Sequence, residues 1–362
     1  MFKLRGLDDF KKSEIENFWK NYDPKVDEPR ILGVSLSCSN VCNLRCIYCY
    51  AGNEKRPYPN ELTLEEQNDI IRQAKEMGGR TVVFCGDGEP SMDRNLIGMV
   101  ECANENNMVM VVVTNANIFG DDNLCQRIHN MTGEELLQKL YDNNASLVVK
   151  LESLEEDKYD SIVGVKGAFK KYTLAIERMK KVGFGNYVEE DGAKITRYAF
   201  SAVIMKNNIE ELQKLKAFAD DINAQFICKL PTIVGNALDN IENMFSVTKY
   251  EEIRKELFNY TAKRETLMVD TPRCMAWHYG PCIGVDGEIR ECYTSSYKAE
   301  NKIGNVRDKS LKELVKLKNQ NTNLTCNDFC PVKTRINKEL EEKGLEKVWK
   351  VVEPTKEKVS GF

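Results

Sequence analysis

Short β-branched runs alternate with amphipathic stretches along the first two-thirds of the chain. Residues 31–37 (ILGVSLS), 80–85 (RTVVFC), 108–114 (MVMVVVT), 145–151 (ASLVVKL), 196–204 (TRYAFSAVI) and 224–230 (AQFICKL) read as six buried strands. Helical periodicity falls between them, near 94–106, 133–143, 168–182 and 208–221. A further helix opens at Thr63, which forms a capping box with Glu66, and it stops at Gly78 and Gly79. Strands separated by helices imply β-α-β units and a parallel sheet. A closed eight-fold barrel takes about 250 residues. Six strand runs within residues 31–262 therefore predict an α/β fold of a partial (β/α)6 TIM-type barrel. The pattern changes past residue 265. Residues 270–330 hold five cysteines and few long helical repeats, which predicts a small, loop-rich module stapled by metal. The expected organisation is an N-terminal extension (1–30), the barrel (31–262), the cysteine-rich module (263–335) and a Lys/Glu-rich helix and tail (336–362).

Composition changes this picture in two ways. The chain has 362 residues, 56 acidic and 52 basic, for a net charge of −4. The basic footprint of a nucleic-acid binder is absent. No apolar run approaches the roughly 20 residues that span a bilayer, and the N-terminus has no apolar signal-peptide core. The expectation is a cytoplasmic protein with no nucleic-acid and no membrane partner. The second change comes from thirteen cysteines. In a reducing compartment, grouped cysteines read as metal ligands or redox groups.

Cys42, Cys46 and Cys49 follow the first strand run, with three and then two residues between them. Three thiolates within eight residues can wrap one side of a cubane iron–sulfur cluster, each taking one iron. The fourth iron then has no nearby protein ligand and becomes a substrate-binding position. Cys38 is near in sequence but lies in or at the end of the strand. By spacing alone, a zinc knuckle or core cysteines fit as well. Tyr48 and Tyr50 set aromatic groups beside the triplet.

The run CNLRCIYCY resembles the signature of radical S-adenosylmethionine (SAM) enzymes. In that family the open iron binds the amino and carboxylate groups of SAM, and reductive cleavage yields a 5′-deoxyadenosyl radical that abstracts hydrogen from substrate. The resemblance implies that Cys42, Cys46 and Cys49 hold a [4Fe-4S] cluster and that Tyr48 packs by the adenine. Gly86, Asp87, Gly88, Glu89 and Pro90 after the second strand are similar to the family's Gly-Gly-Glu-Pro motif, which meets the cofactor's amino group; Asp87 replaces the first glycine. Lys150, Glu152 and Ser153 after the fourth strand look like the segment near the ribose and carboxylate. Asn207 or Asn208 after the fifth is a further cofactor candidate, and residues 231–235 resemble the loop flanking the adenine. The resemblance spans about residues 30–235.

Five cysteines remain in the C-terminal part: Cys274, Cys282, Cys292, Cys326 and Cys330. Asp286 and Gly287 give a hairpin-turn signal that presents Cys292. Five thiols compete for four ligand places, with Cys282 and Cys326 the weakest candidates. The spacing resembles the twitch or SPASM extension of radical SAM enzymes and implies one auxiliary [4Fe-4S] cluster; a structural zinc site is the alternative. Cys85, Cys102, Cys125 and Cys228 read as small buried hydrophobes. Cys228, in the sixth strand, is also a candidate hydrogen donor if it faces the lumen. His278, near Cys274, is a candidate contact for substrate or cluster.

The expected activity is reductive SAM cleavage followed by oxidation or modification of a substrate, with the auxiliary cluster taking part. The alternatives are modification of a ribosomal peptide, maturation of another protein, or, outside catalysis, an iron–sulfur electron carrier. A small-molecule or peptide substrate and a flavodoxin- or ferredoxin-type electron donor are the expected partners.

Overall fold

The computed structural model describes residues 2–8, 10–23, 26–52, 57–229, 231–245, 249, 252–253, 279–290, 303–321, 337–338 and 340–344. Cys274, His278, Cys292, Cys326 and Cys330 lie outside the described residues.

The six strand runs form β2 (Gly33–Cys38), β3 (Thr81–Gly86), β4 (Val109–Thr114), β5 (Ser146–Lys150), β8 (Tyr198–Val203) and β9 (Gln225–Lys229). They pair in chain order, all parallel. The connecting helices include α2 (Leu64–Glu76), α3 (Leu96–Glu105), α5 (Gly133–Asp142), α7 (Ala168–Val182) and α8 (Leu212–Asp221), close to the expected spans. The Thr63 capping box forms: Thr63 Oγ1 accepts from Glu66 N at 3.3 Å, and Glu66 Oε2 accepts from Thr63 N at 2.8 Å. Three shorter helices fall outside the expected spans: α1 (Lys12–Trp19), α4 (Asp122–His129) and α6 (Glu156–Val163).

Each parallel strand alternates between two cores. Val82, Phe84, Met110, Val112, Leu147, Val149, Phe200 and Phe226 pack outward against the helices. Val83, Val111, Val113, Val148, Ala199 and Ile227 point inward, where Leu4 and Leu7 plug the bottom of the sheet. Leu4 belongs to β1 (Phe2–Leu4), which pairs with β7 (Ala193–Thr196) beside β6 (Tyr187–Glu190) in a separate three-stranded sheet. The N-terminal extension is thus part of the fold. Among the described residues, no helix is long and apolar enough to cross a membrane.

The C-terminal hairpin does form. β10 (Cys282–Ile283) and β11 (Ile289–Arg290) pair around a turn in which Gly287 takes φ +85°. Its placement is a tertiary finding: β10 pairs in parallel with β2 and extends the barrel sheet. A further helix, α9 (Leu311–Asn321), packs by α2, where Gln73 Oε1 accepts from Leu311 N at 2.7 Å.

Candidate functional site

The cysteine loop leaves the C-terminal end of β2 and is gripped from two sides. Arg45 N and Ile47 N donate to the carbonyls of Val163 and Ile162 at the end of α6, at 2.9 and 3.0 Å. Asn236 N donates to Cys49 O at 2.9 Å, and Asn236 Nδ2 to Cys46 O at 3.0 Å. Gly235 allows this approach: it takes φ +56°, and a Cβ there would stand 2.5 Å from Tyr50 O and 2.8 Å from Cys49 O. Cys42 Sγ accepts from Leu44 N at 3.4 Å and from Asn115 Nδ2 at 3.9 Å.

The 86–90 turn leaves the C-terminal end of β3. Gly88 is wedged against the cysteine-bearing segment, where a Cβ would fall 2.0 Å from Ser39 O and 2.5 Å from Val41 O. Glu89, 4% exposed, receives four donors. Ser91 N and Ser91 Oγ reach Oε1 at 3.0 and 2.6 Å, together with Thr114 Oγ1, and Asn115 N reaches Oε2 at 2.8 Å. Burial pushes this carboxyl above its ordinary range, and the donors pull it back. The carboxylate therefore braces the ends of β3 and β4. Tyr50 Oη donates to Gly86 O at 2.8 Å.

Glu152 follows β5 and is fully buried. Its Oε1 accepts from Tyr48 Oη at 2.6 Å and its Oε2 from Val203 N at 3.0 Å. Burial raises both groups: Glu152 against the field of Lys150, Tyr48 with the added fields of Cys46 and Glu152. The Lys150 ammonium lies 5.7 Å from the Tyr48 ring centroid, within cation–π range. These contacts fix the Tyr48 ring at the cavity wall. Ser153 departs from its expected role: its Oγ donates to Glu211 Oε2 at 2.7 Å and accepts from Glu155 N, away from the cavity. Asn207 does not line the cavity either. Asn208 braces the ends of β5 and β8, donating to Glu152 O and Val203 O at 3.3 and 2.9 Å.

These pieces meet in one cavity of about 340 Å³. Its wall includes Cys42, Cys46, Cys49, Tyr48, the 86–89 turn and Lys150, with at least one residue from each of the six parallel strands. That wall shows the sheet curving round a lumen. Period-two alternation decides which thiols reach it. On β9, Ile227 and Lys229 face the lumen, while Cys228 packs on the outer core, where burial pushes its thiol up to about 12. Cys228 thus packs as the small hydrophobe of the first reading, and the condition for a hydrogen donor, a thiol facing the lumen, is not met. Cys85 and Cys282 are the thiols on the wall beyond the triplet. Thr232, in the 231–235 loop that the resemblance sets beside the adenine, lines it, and so do Asn115 and Lys229, which the sequence reading does not single out. Asn115 and Lys229 sit at the C-terminal ends of strands, where barrel chemistry collects, and that position was the available signal.

Among the described residues, no three His, Cys, Asp or Glu side chains are grouped to hold a metal ion. A cubane needs a wider triplet, since each thiolate takes a different iron. The donor set fits such a group. Burial pushes the Cys46 thiol well up, and Cys49 and Cys42 push the same way. Three thiolates cannot share this pocket without positive charge, which bound iron supplies. N–H donors already aimed at Cys42 sulfur suit a ligated thiolate.

Comparison with known proteins agrees with the geometry. The Radical SAM superfamily model matches residues 36–218, half of the chain. The AdoMet-dependent heme synthase of Oleidesulfovibrio alaskensis is 21% identical over 68% of this chain and 56% of its own length. The sporulation killing factor maturation protein SkfB of Bacillus subtilis is 23% identical over 72% of this chain and 60% of its own. This chain thus spans under two-thirds of the length of these curated relatives. Streptococcus suis SuiB, solved with its precursor peptide SuiA, superposes with a TM-score of 0.64 at 16% identity, over 93% of this chain and 78% of that one. The chain belongs to the radical SAM superfamily, a family of enzymes.

Proposed function

We propose that this member of the radical SAM superfamily binds a [4Fe-4S] cluster and SAM in the barrel lumen and uses them to abstract hydrogen from a substrate. The observation behind the reading is the convergence of Cys42, Cys46 and Cys49 with the 86–89 turn on one cavity at the C-terminal ends of six parallel strands. Cys42, Cys46 and Cys49 would hold the cluster; the backbone of Gly86, Asp87 and Gly88, with Tyr48 and Lys150, would hold the cofactor. Bound there, the pair supplies a 5′-deoxyadenosyl radical by one-electron cleavage of the sulfonium. The chain's own residues do the rest. Val83, Val113, Val148 and Ile227 give the lumen a dry apolar floor, which keeps water from a reactive intermediate. Glu152, through Tyr48, fixes one wall, and Glu89 fixes the turn opposite.

A second part of the proposal is that Cys274, Cys292, Cys326 and Cys330 hold an auxiliary cluster. The hairpin ahead of Cys292 supports it; Cys282, which lines the cavity, is the one of the five that this reading leaves out.

A peptide or protein substrate is the reading we favour over a fully enclosed small molecule. The cavity is at the lower end of the ligand-pocket range. Cofactor and reacting group must share it, so a substrate that inserts one side chain fits best. The similarity to SkfB, a maturation protein, points the same way.

The test is iron, sulfide and zinc per chain after anaerobic reconstitution, followed by formation of 5′-deoxyadenosine and methionine on reduction. About eight irons indicate two four-iron clusters, and about four irons with one zinc make the C-terminal site structural. Absence of SAM cleavage in a protein with four or more irons rejects the central reading.

A further inference from the structure

Asp87 stands where the resemblance puts a glycine, and the structure gives its side chain a specific setting. Asp87 is 8% exposed. Its Oδ2 accepts from Tyr58 Oη at 3.2 Å and lies 4.0 Å from Nη1 of Arg290. Arg290 is on β11, directly opposite Cys282 of β10. Opposed residues of an antiparallel pair point to the same face, and Cys282 lines the cavity, so Arg290 stands on the cavity side of the hairpin. Its side chain is 12% exposed, and its Nη2 lies 3.4 Å from Asp286 Oδ1. Nη1 is buried and makes no hydrogen bond among the described residues. Gly284 makes room for the guanidinium: a Cβ there would stand 2.5 Å from Arg290 Nε and 2.6 Å from Nη2. A carboxylate and a guanidinium that are both nearly buried depend on one another, because removing either strands the other charge in a poor solvent for it.

We propose that Arg290 is a positioning residue: through Asp87 it fixes the 86–89 turn, so that the C-terminal hairpin and the cofactor site are energetically coupled. The proposal rests on the cofactor reading above and adds to it a residue of the C-terminal hairpin. It also accounts for the departure at Asp87, since with a glycine there Arg290 would keep Asp286 but have no carboxylate on the 86–89 turn.

The experiment measures SAM binding by equilibrium dialysis on the anaerobically reconstituted full chain, with iron content determined on the same samples. Wild type, Arg290→Gln, Asp87→Gly and the double variant form a cycle. In Arg290→Gln the stranded carboxylate distorts the turn, and the dissociation constant rises roughly tenfold, within the span usual for coupled sites. Arg290→Lys, which keeps the charge, recovers part of the loss. Adding Asp87→Gly to Arg290→Gln removes the stranded group and returns affinity to that of Asp87→Gly alone. Iron content stays level throughout. An unchanged dissociation constant in Arg290→Gln, or two effects that simply multiply in the double variant, overturns the coupling. Where Arg290→Gln does not fold, Arg290→Lys is measured with and without Asp87→Gly, and the same non-multiplicative pattern is required. If wild type binds no SAM, the cofactor reading fails and takes this proposal with it; if wild type binds and the cycle shows no coupling, only this proposal fails.

Discussion

Glu89 offers a sharp separation between a brace and a ligand. In Glu89→Ala, four donors lose their acceptor. The two hydroxyls can turn toward each other, since Thr114 Oγ1 and Ser91 Oγ are 3.2 Å apart. The backbone N–H groups of Ser91 and Asn115 are fixed and stay buried. An orphaned buried donor costs about 1–3 kcal/mol, so two cost about 2–6 kcal/mol, a large share of the about 5–15 kcal/mol that holds a domain together. Glu89→Gln is milder. Its amide oxygen can keep the three donors at Oε1, but its NH2 then faces Asn115 N, leaving one orphan at about 1–3 kcal/mol. Urea unfolding of the anaerobic protein, followed by circular dichroism, should rank wild type above Gln and Gln above Ala. The pH dependence carries a sign. Because the folded Glu89 carboxyl sits above its ordinary range, the folded state holds its proton more tightly than the unfolded state. Its contribution therefore falls as pH rises from the ordinary carboxylate range through the raised value, and Glu89→Gln removes that slope. The reasoning is refuted if Glu89→Ala costs no more than an exposed substitution, about 0.5 kcal/mol, yet loses SAM binding. The carboxylate would then be a ligand.

Other expectations follow from single contacts. Gly235→Ala puts a Cβ 2.5 Å from Tyr50 O at a left-handed φ; the cysteine loop must shift, and iron per chain after reconstitution should fall while the fold, read by circular dichroism, persists. Cys228→Ala should leave SAM cleavage and product unchanged, because the side chain packs outside the lumen; a changed product by mass spectrometry would return Cys228 to the lumen. Arg307 forks onto Glu66, at 2.6 and 3.0 Å, and lowers its carboxyl to about 2. That stabilisation is present above the unfolded value near 4.5 and is lost as pH falls through about 2. Both side chains are about one-third exposed, so Glu66→Gln should cost only about 1 kcal/mol at neutral pH. Urea midpoints of the two proteins should converge as the pH drops across that window.

Local chemistry was legible wherever it was spelled by neighbours in the chain. The six strands, the helix start at Thr63 and the Asp286–Gly287 hairpin come from periodicity and turn residues that act within a few positions. The small sheet at the bottom of the barrel was not read. Its β6–β7 turn carries the Asp191–Gly192 signal, with φ +50° and +76°, but its third strand is Phe2–Leu4, nearly two hundred residues away. Nothing in either segment announces that pairing. The resemblance sets Glu89 and Ser153 at the cofactor by motif position. The hydrogen-bond partners of their side chains, Thr114 and Asn115 for one and Glu211 for the other, arrive from other strands and loops.

Cys228 shows where the limit lies. A strand buried on both faces carries apolar residues at both parities, so alternation cannot say which parity meets the helices and which the lumen. The sequence by itself determined the alternating elements, the cysteine triplet after the first barrel strand and the glycine-bearing turn after the second, because each is a short-range pattern. Only the tertiary structure decided that Cys85 and Cys282, not Cys228, reach the lumen, and that Asp87 meets Arg290. Those outcomes depend on sheet curvature and on β10 pairing with β2, where backbone hydrogen bonds join segments about 250 residues apart without regard to side-chain identity.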